Sequence, residues 1–164
     1  MELLVAAAIA TAVALGAVSF YIFSIKSFAA TSNYTVLNGW SRNASDMISR
    51  DVRNANGVAS ATTNQLTLNL ESDPNPVTYT YDPAGQTLSR VQGSSSQILL
   101  QNLTSLTWSL YQTPTNTLYG SFPPAADPAL AKFVSFQWNC ARPVSGAQSN
   151  SATLQTALIE LRNR

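Results

Sequence analysis

Residues 3–25 contain no charged side chain, and Lys26 ends the run. A stretch this long, built of Leu, Ile, Val, Ala and Phe, is able to cross a bilayer as a helix. Many of its positions are small, among them Ala6, Ala8, Ala10, Ala12, Ala14, Gly16 and Ala17. Small residues at helical spacing let other helices approach closely. Glu2 stands alone at the front of the run. A carboxylate at the lip of an apolar helix is expensive in lipid and calls for a partner. An ordinary single-pass anchor is the plainer reading of the run, and the sharper one rests on Glu2.

The helix is expected to continue past Lys26, because no proline intervenes before Ala55 and Gly39 is the only glycine there. Ile25, Phe28, Ala29, Leu37, Trp40, Ala44, Ile48, Val52 and Ala55 recur near a helical period. Arg42, Asp46 and Arg50 follow at steps of four and can pair along an exposed face. Asn54-Ala55-Asn56-Gly57 reads as a stop, with Gly57 in the left-handed position after the last turn. The expected helix is about 80 Å long at 1.5 Å per residue. Its first half is apolar all round, and its second half is amphipathic and needs a domain against it. Gly16 and Gly39 are its weak points. The aromatic side chains Phe20, Tyr21, Phe23, Phe28, Tyr34 and Trp40 read as packing groups rather than an electron path.

After Gly57 the pattern changes to a period of two. Residues 65–70, 77–81, 87–91, 105–112, 132–139 and 152–161 read as strands, and 98–103 as a strand or turn. Asp73-Pro74-Asn75-Pro76 and Asp82-Pro83-Ala84-Gly85 read as turns, while 93–96, 113–131 and 142–151 read as loops. On one strand Leu106, Trp108 and Leu110 share a face, and on another Val134, Phe136 and Trp138 do. Strands without intervening helices make an antiparallel sheet. The fold class is α+β: a long N-terminal α-helix with its C-terminal half packed on an antiparallel β-sheet. The chain divides into an apolar membrane or filament-core helix over 1–26, an amphipathic half over 27–56 and a β-rich globular domain over 57–164. Helix–sheet packing is assigned to Leu37, Trp40, Ile48 and Val52.

Met1-Glu2-Leu3-Leu4-Val5-Ala6 resembles the N-terminal signature of type IV pilins and type II secretion pseudopilins. Glu2 matches the acid of that family. The family places the acid fifth in the mature chain and here it is second, so either three residues precede Met1 or the N-terminus is processed differently, and the methylated N-terminal Phe that the resemblance implies cannot be placed. No basic leader ending in Gly precedes the helix, as the resemblance implies for a processed chain. Residues 48–55 (Ile-Ser-Arg-Asp-Val-Arg-Asn-Ala) and the terminal Leu161-Arg162-Asn163-Arg164 look like the minor-pilin and pseudopilin-J branch. The resemblance implies a pilin-like fold and a homo-oligomeric helical filament built by bundling the apolar helices. Assembly falls to Glu2, Leu3, Leu4, Val5, Ala6, Ile9, Val13, Gly16 and Phe20. The implied partners are a prepilin peptidase and the pilus assembly machinery. The implied location is a bacterial inner membrane before assembly and a cell-surface filament after it. A minor pilin or pseudopilin at a tip or piston is one alternative, and a membrane-anchored extracytoplasmic binding module is another.

Composition narrows the chemistry. The formal net charge is +1 and charged residues make up only 10% of the chain, so no nucleic-acid surface is implied. The chain has no histidine and one cysteine, Cys140. Histidine-based catalysis, an internal disulfide and a Cys₄ or Cys₃ zinc site are therefore excluded within one chain. No phosphate-binding loop is present. Glu71 and Asp73 are the one close acid pair outside the stem, too few oxygens for calcium. Catalytic, cofactor and metal residues are none, and an enzyme is not expected. Asn33-Tyr34-Thr35, Asn43-Ala44-Ser45 and Asn102-Leu103-Thr104 fit the N-glycosylation triplet, which is frequent by chance in so Asn-, Ser- and Thr-rich a chain. Cys140 follows Trp138 at the end of an apolar strand and is expected to be a buried or interface thiol with no internal partner.

Overall fold

The computed structural model describes residues 1–71, 73–114, 122–143, 149–155 and 158–161. One helix, α1 (Glu2–Asn54), is unbroken through both Gly16 and Gly39. It ends without a loop. Ala55 is already extended and is the first residue of strand β1 (Ala55–Ala61). Gly57 is therefore not a left-handed stop; it lies within β1 and pairs with Asn69. Strand β1 is not legible in the sequence, because Asn54 to Gly57 carry turn-forming residues that mask the β pattern.

The β region is antiparallel throughout but forms two sheets rather than one. The first runs in sequence order through β1, β2 (Gln65–Leu70), β3 (Val77–Asp82), β4 (Thr87–Gln92) and β5 (Ser95–Gln101). The second contains β6 (Leu103–Tyr111), β7 (Phe133–Pro143), β8 (Ser149–Gln155) and β9 (Ile159–Glu160). Both β8 and β9 pair with β7, so the one strand expected over 152–161 is two segments on the same edge. The division between the sheets falls at Asn102, which takes a left-handed φ of 57°. Asparagine tolerates that conformation because its short amide bonds locally. The expected loop over 93–96 is shorter, with Gly93 at φ 56° and β5 starting at Ser95.

Turn chemistry follows the sequence closely. Asp73 Oδ1 accepts the Asn75 N–H at 2.8 Å, and Asp82 Oδ1 accepts the Ala84 N–H at 3.0 Å. A Cβ at Gly85 would press on the Asp82 carboxylate, so a larger residue there would require that side chain to shift. Of the expected loop over 113–131, residues 115–121 lie outside the described residues. The remainder is ordered against the sheet: Ala125 N–H bonds the Leu110 carbonyl, and residues Pro128–Leu130 form a short 3-10 helix capped by Asp127. The expected loop over 142–151 is narrowed by β7 and β8, and 144–148 lie outside the described residues.

The core is a single apolar cluster. It takes Leu66, Leu68, Val77, Tyr79, Leu88 and Leu100 from the first sheet and Leu103, Val134, Phe136, Trp138 and Cys140 from the second. The C-terminal half of α1 completes it, packing on strands of both sheets. Its buried positions are Leu37, Ser41, Ala44, Ile48, Asp51 and Val52. These recur at three- and four-residue steps, the spacing of one helix face.

Candidate assembly and membrane interface

Every residue from Met1 to Phe28 is exposed, whereas the first buried helix position is Leu37. Leu3 is 83% and Phe20 72% exposed. The helix is long and apolar enough to cross a membrane. A solvated rod of this composition is not a stable end state, since each buried CH₂ is worth about 0.8 kcal/mol. Leu3, Leu4, Val5, Ala6, Ile9, Val13, Gly16 and Phe20 all lie on this free stem, and Glu2 is in its first turn. Phe20, Tyr21, Phe23, Phe28 and Tyr34 are exposed too, so of the stem aromatics only Trp40 packs against the core. Leu37, Ile48 and Val52 are fully buried, and Trp40 is half-buried.

Two buried polar side chains of α1, Asp51 and Ser41, tie the helix to the β domain. Asp51, only 5% exposed, accepts the Tyr79 hydroxyl at 2.6 Å and the Arg90 Nε–H at 2.7 Å. Burial works against the Arg90 charge, but the bond and charge of Asp51 outweigh it and hold the guanidinium above its usual range. Arg90 also donates to Gln92 Oε1 at 2.7 Å, and Gln92 donates to Asp73 at 3.0 Å. Ten residues nearer the N-terminus of the helix, Ser41 Oγ accepts the Trp138 Nε1–H at 2.7 Å.

Aromatic rings connect these two bolts. Tyr79 meets Trp108 at 6.2 Å, Trp108 meets Phe136 edge-on at 6.1 Å, and Phe136 stacks on Trp138 at 5.0 Å. Asp51, Tyr79, Trp108, Phe136, Trp138 and Ser41 thus close a ring through the helix and both sheets. Such pairs contribute about 0.5–1.5 kcal/mol each beyond area burial. None of the ring's helix residues was picked out by periodicity, because Ser41 and Asp51 are polar. Their signal was there: each falls on the apolar stripe, where a polar side chain needs a buried partner. Arg42, Asp46 and Arg50 are exposed, and among the described residues no ion pair joins them.

No family model, curated protein or solved structure matches the chain.

A cleft of about 640 Å³ lies between the end of β1 and the outer edge of β6, lined by Thr62, Thr63, Trp108, Tyr111 and Pro124 among others. Trp108 Nε1 is buried beside it with no partner among the described residues. Among the described residues no three acidic or cysteine side chains converge where a metal could sit. Asp73 is instead engaged by Asn75 and Gln92, and the Asn75 N–H holds its carboxyl below the usual value.

Cys140 is 1% exposed and burial pushes its thiol up to about 11. The thiolate is the reactive form. Labelling of the folded chain at pH 8 should therefore be slow, and should accelerate only on denaturation or as the pH approaches 11. Rapid labelling at pH 8 with a covalent dimer on a non-reducing gel would contradict this placement.

Proposed function

We propose that the chain is a structural subunit of a type IV pilus-like filament, a bacterial cell-surface assembly in which the apolar stems bundle at the axis. The observation that supports this best is the union of two halves in one helix: a fully exposed apolar stem headed by one carboxylate, and a rigidly bolted upper half that carries a β domain. The resemblance at residues 1–6 agrees with it. Before assembly the stem rests in the inner membrane. Leaving lipid exposes apolar surface worth tens of kcal/mol at about 25 cal/mol per Å², and burial among identical stems recovers it. Bolting matters because a stem that swivelled on its domain would not hold a constant stagger between subunits.

Electron microscopy of material sheared from cells making the chain tests this reading. Fibres composed mainly of this chain are expected. Trace amounts within fibres of another protein would place it as a minor pilin or pseudopilin. Recovery only from membranes would favour a membrane-anchored binding module, the reading that the cleft beside β6 supports.

In the fibre, α1 is expected to be interrupted within residues 11–19, near Gly16. Gly16 has nothing within 4 Å of its Cβ position, so nothing in the isolated chain props the helix there. Glycine lowers the cost of leaving the helix by about 1 kcal/mol relative to Ala. A fibre map with a continuous helix through these residues would contradict the expectation.

A further inference from the structure

Strand β6 has one paired edge and one open one. Tyr111 at its end pairs with Phe133 of β7 on one edge and with Pro124 on the other. On that second edge the Ala125 N–H bonds the Leu110 carbonyl at 2.9 Å, and the Gln112 N–H bonds the Pro123 carbonyl at 3.0 Å. The register with β7 is regular from Ser105 to Tyr111, so backbone groups of successive residues alternate between the two edges. The N–H and C=O groups of Leu106 and Trp108 therefore face the same way as the Leu110 carbonyl. Among the described residues they have no backbone partner there. Their edge is the wall of the cleft beside β6, which residues 106–111 line without a gap.

The other outer strands each have an element beside them. The 3-10 helix Pro128–Leu130 lies against β1, and α1 lies against β5, β8 and β9. On β6 the row begun by Pro124 and Ala125 stops, because the chain turns into the 3-10 helix after Asp127. Sheets commonly guard an open edge with charge, proline or a covering element. Leu106 to Tyr111 include neither charge nor proline, and no charged side chain lines the cleft. The Trp108 indole N–H is a further donor at this wall without a partner among the described residues. Buried donors seldom stay unpaired.

We propose that the open edge of β6 binds an extended, uncharged peptide segment of another protein, which adds a strand and continues the row that Pro124 and Ala125 begin. Leu106 and Trp108 each offer one donor and one acceptor, about 6.8 Å apart along the strand. Extended polypeptide backbone repeats the same pair at the same interval. Main-chain bonds then supply the affinity and alternate side chains the selectivity. On one face of the added strand side chains meet Leu106, Trp108 and Leu110, and on the other Thr107 and Ser109. A charged peptide side chain would enter a lining with no counter-charge. A second copy is not the source: among the described residues its strands are already paired and its stem is helical. The inference is independent of the filament reading, since a filament subunit and a membrane-anchored module present the same edge.

Amide hydrogen exchange in the full chain, held in detergent, tests this with a capped seven-residue peptide of alternating valine and asparagine. In the free chain the Leu106 and Trp108 amides are expected to exchange quickly, and the Thr107 and Ser109 amides, which face β7, slowly. The peptide should slow the first two at least tenfold while Cys140 labelling stays slow. A copy N-methylated at every residue keeps the side chains but donates no N–H and obstructs the ladder, so it should slow neither. A copy with lysine in place of asparagine should also fail. Slow exchange at Leu106 and Trp108 in the free chain would show that the chain's own backbone fills the edge, and would overturn the proposal. Fast exchange unchanged by the valine–asparagine peptide at about 1 mM, where binding of even about 4 kcal/mol is half-saturated, would overturn it too. So would equal slowing by the methylated or the lysine copy.

Discussion

Replacing Asp51 with Ala is expected to destabilise the folded domain by about 3 kcal/mol, the lower end of what breaking a buried ion pair does. The carboxylate holds two groups at once, the Tyr79 hydroxyl and the Arg90 guanidinium. Its removal leaves both without that partner. The lower end applies because the Arg90 side chain keeps 15% of its exposure and can reach water. Thermal unfolding should fall by on the order of 10 °C. Asp51→Asn should lose less, since the amide oxygen still accepts from Tyr79 while the charge is gone. Arg90→Ala added to Asp51→Ala should then lose less than the sum of the single changes, because the second change removes the stranded charge. A loss below 1 kcal/mol for Asp51→Ala would show that the bolt is dispensable. Alkali should act on the same place. Burial, with the Asp51 bond and charge adding to it, raises the Tyr79 phenol well above 10. The stability this group contributes is full below its unfolded value and declines as the pH rises above about 10.

The part of the fold legible beforehand was the part with an uninterrupted period. The stem, Leu37, Ile48 and Val52 followed from helical spacing, and β2, β3 and β4 from alternation with flanking turns. The split into two sheets was not legible, because the chain passes from β5 to β6 through Asn102 alone and the residues around it read as one apolar run. The ring from Asp51 to Ser41 was hidden for a different reason. Its members are far apart in sequence, as in Trp138 and Ser41, and only pairing across strands brings them together. The stem itself was plain from composition, but the exposure of Phe28 needed coordinates. Helical spacing does not say whether an aromatic face is covered by the same chain or by another.

Replacing Glu2 with Ala is expected to leave membrane insertion and the β domain unchanged and to reduce fibre formation at least tenfold. Glu2 lies about 50 Å along the helix from Leu37 at 1.5 Å per residue, so it has no bearing on the domain's core. In a bundle of apolar stems, however, its carboxylate would be surrounded by Leu, Val and Ala side chains. An unpaired buried charge there costs several kcal/mol. The positive group such a bundle offers is an N-terminal amine, and an entering subunit whose Glu2 meets it is held in axial register as well as stabilised. Glu2→Gln keeps the shape and a hydrogen bond but not the charge, so it should also assemble poorly. Wild-type fibre yield from Glu2→Ala would remove the carboxylate from the assembly step and leave the stem as a plain anchor.

The central claim is that the exposed apolar helix ends up buried among copies of itself, and a density map of the purified fibre tests it most directly. The expected map has residues 3–25 of every subunit packed at the axis, the β domains forming the outer wall, and Glu2 facing a positive group inside the bundle. A map with the β domains at the axis and the stems outside, or a chain that yields no fibre and keeps its stem in lipid, would contradict it.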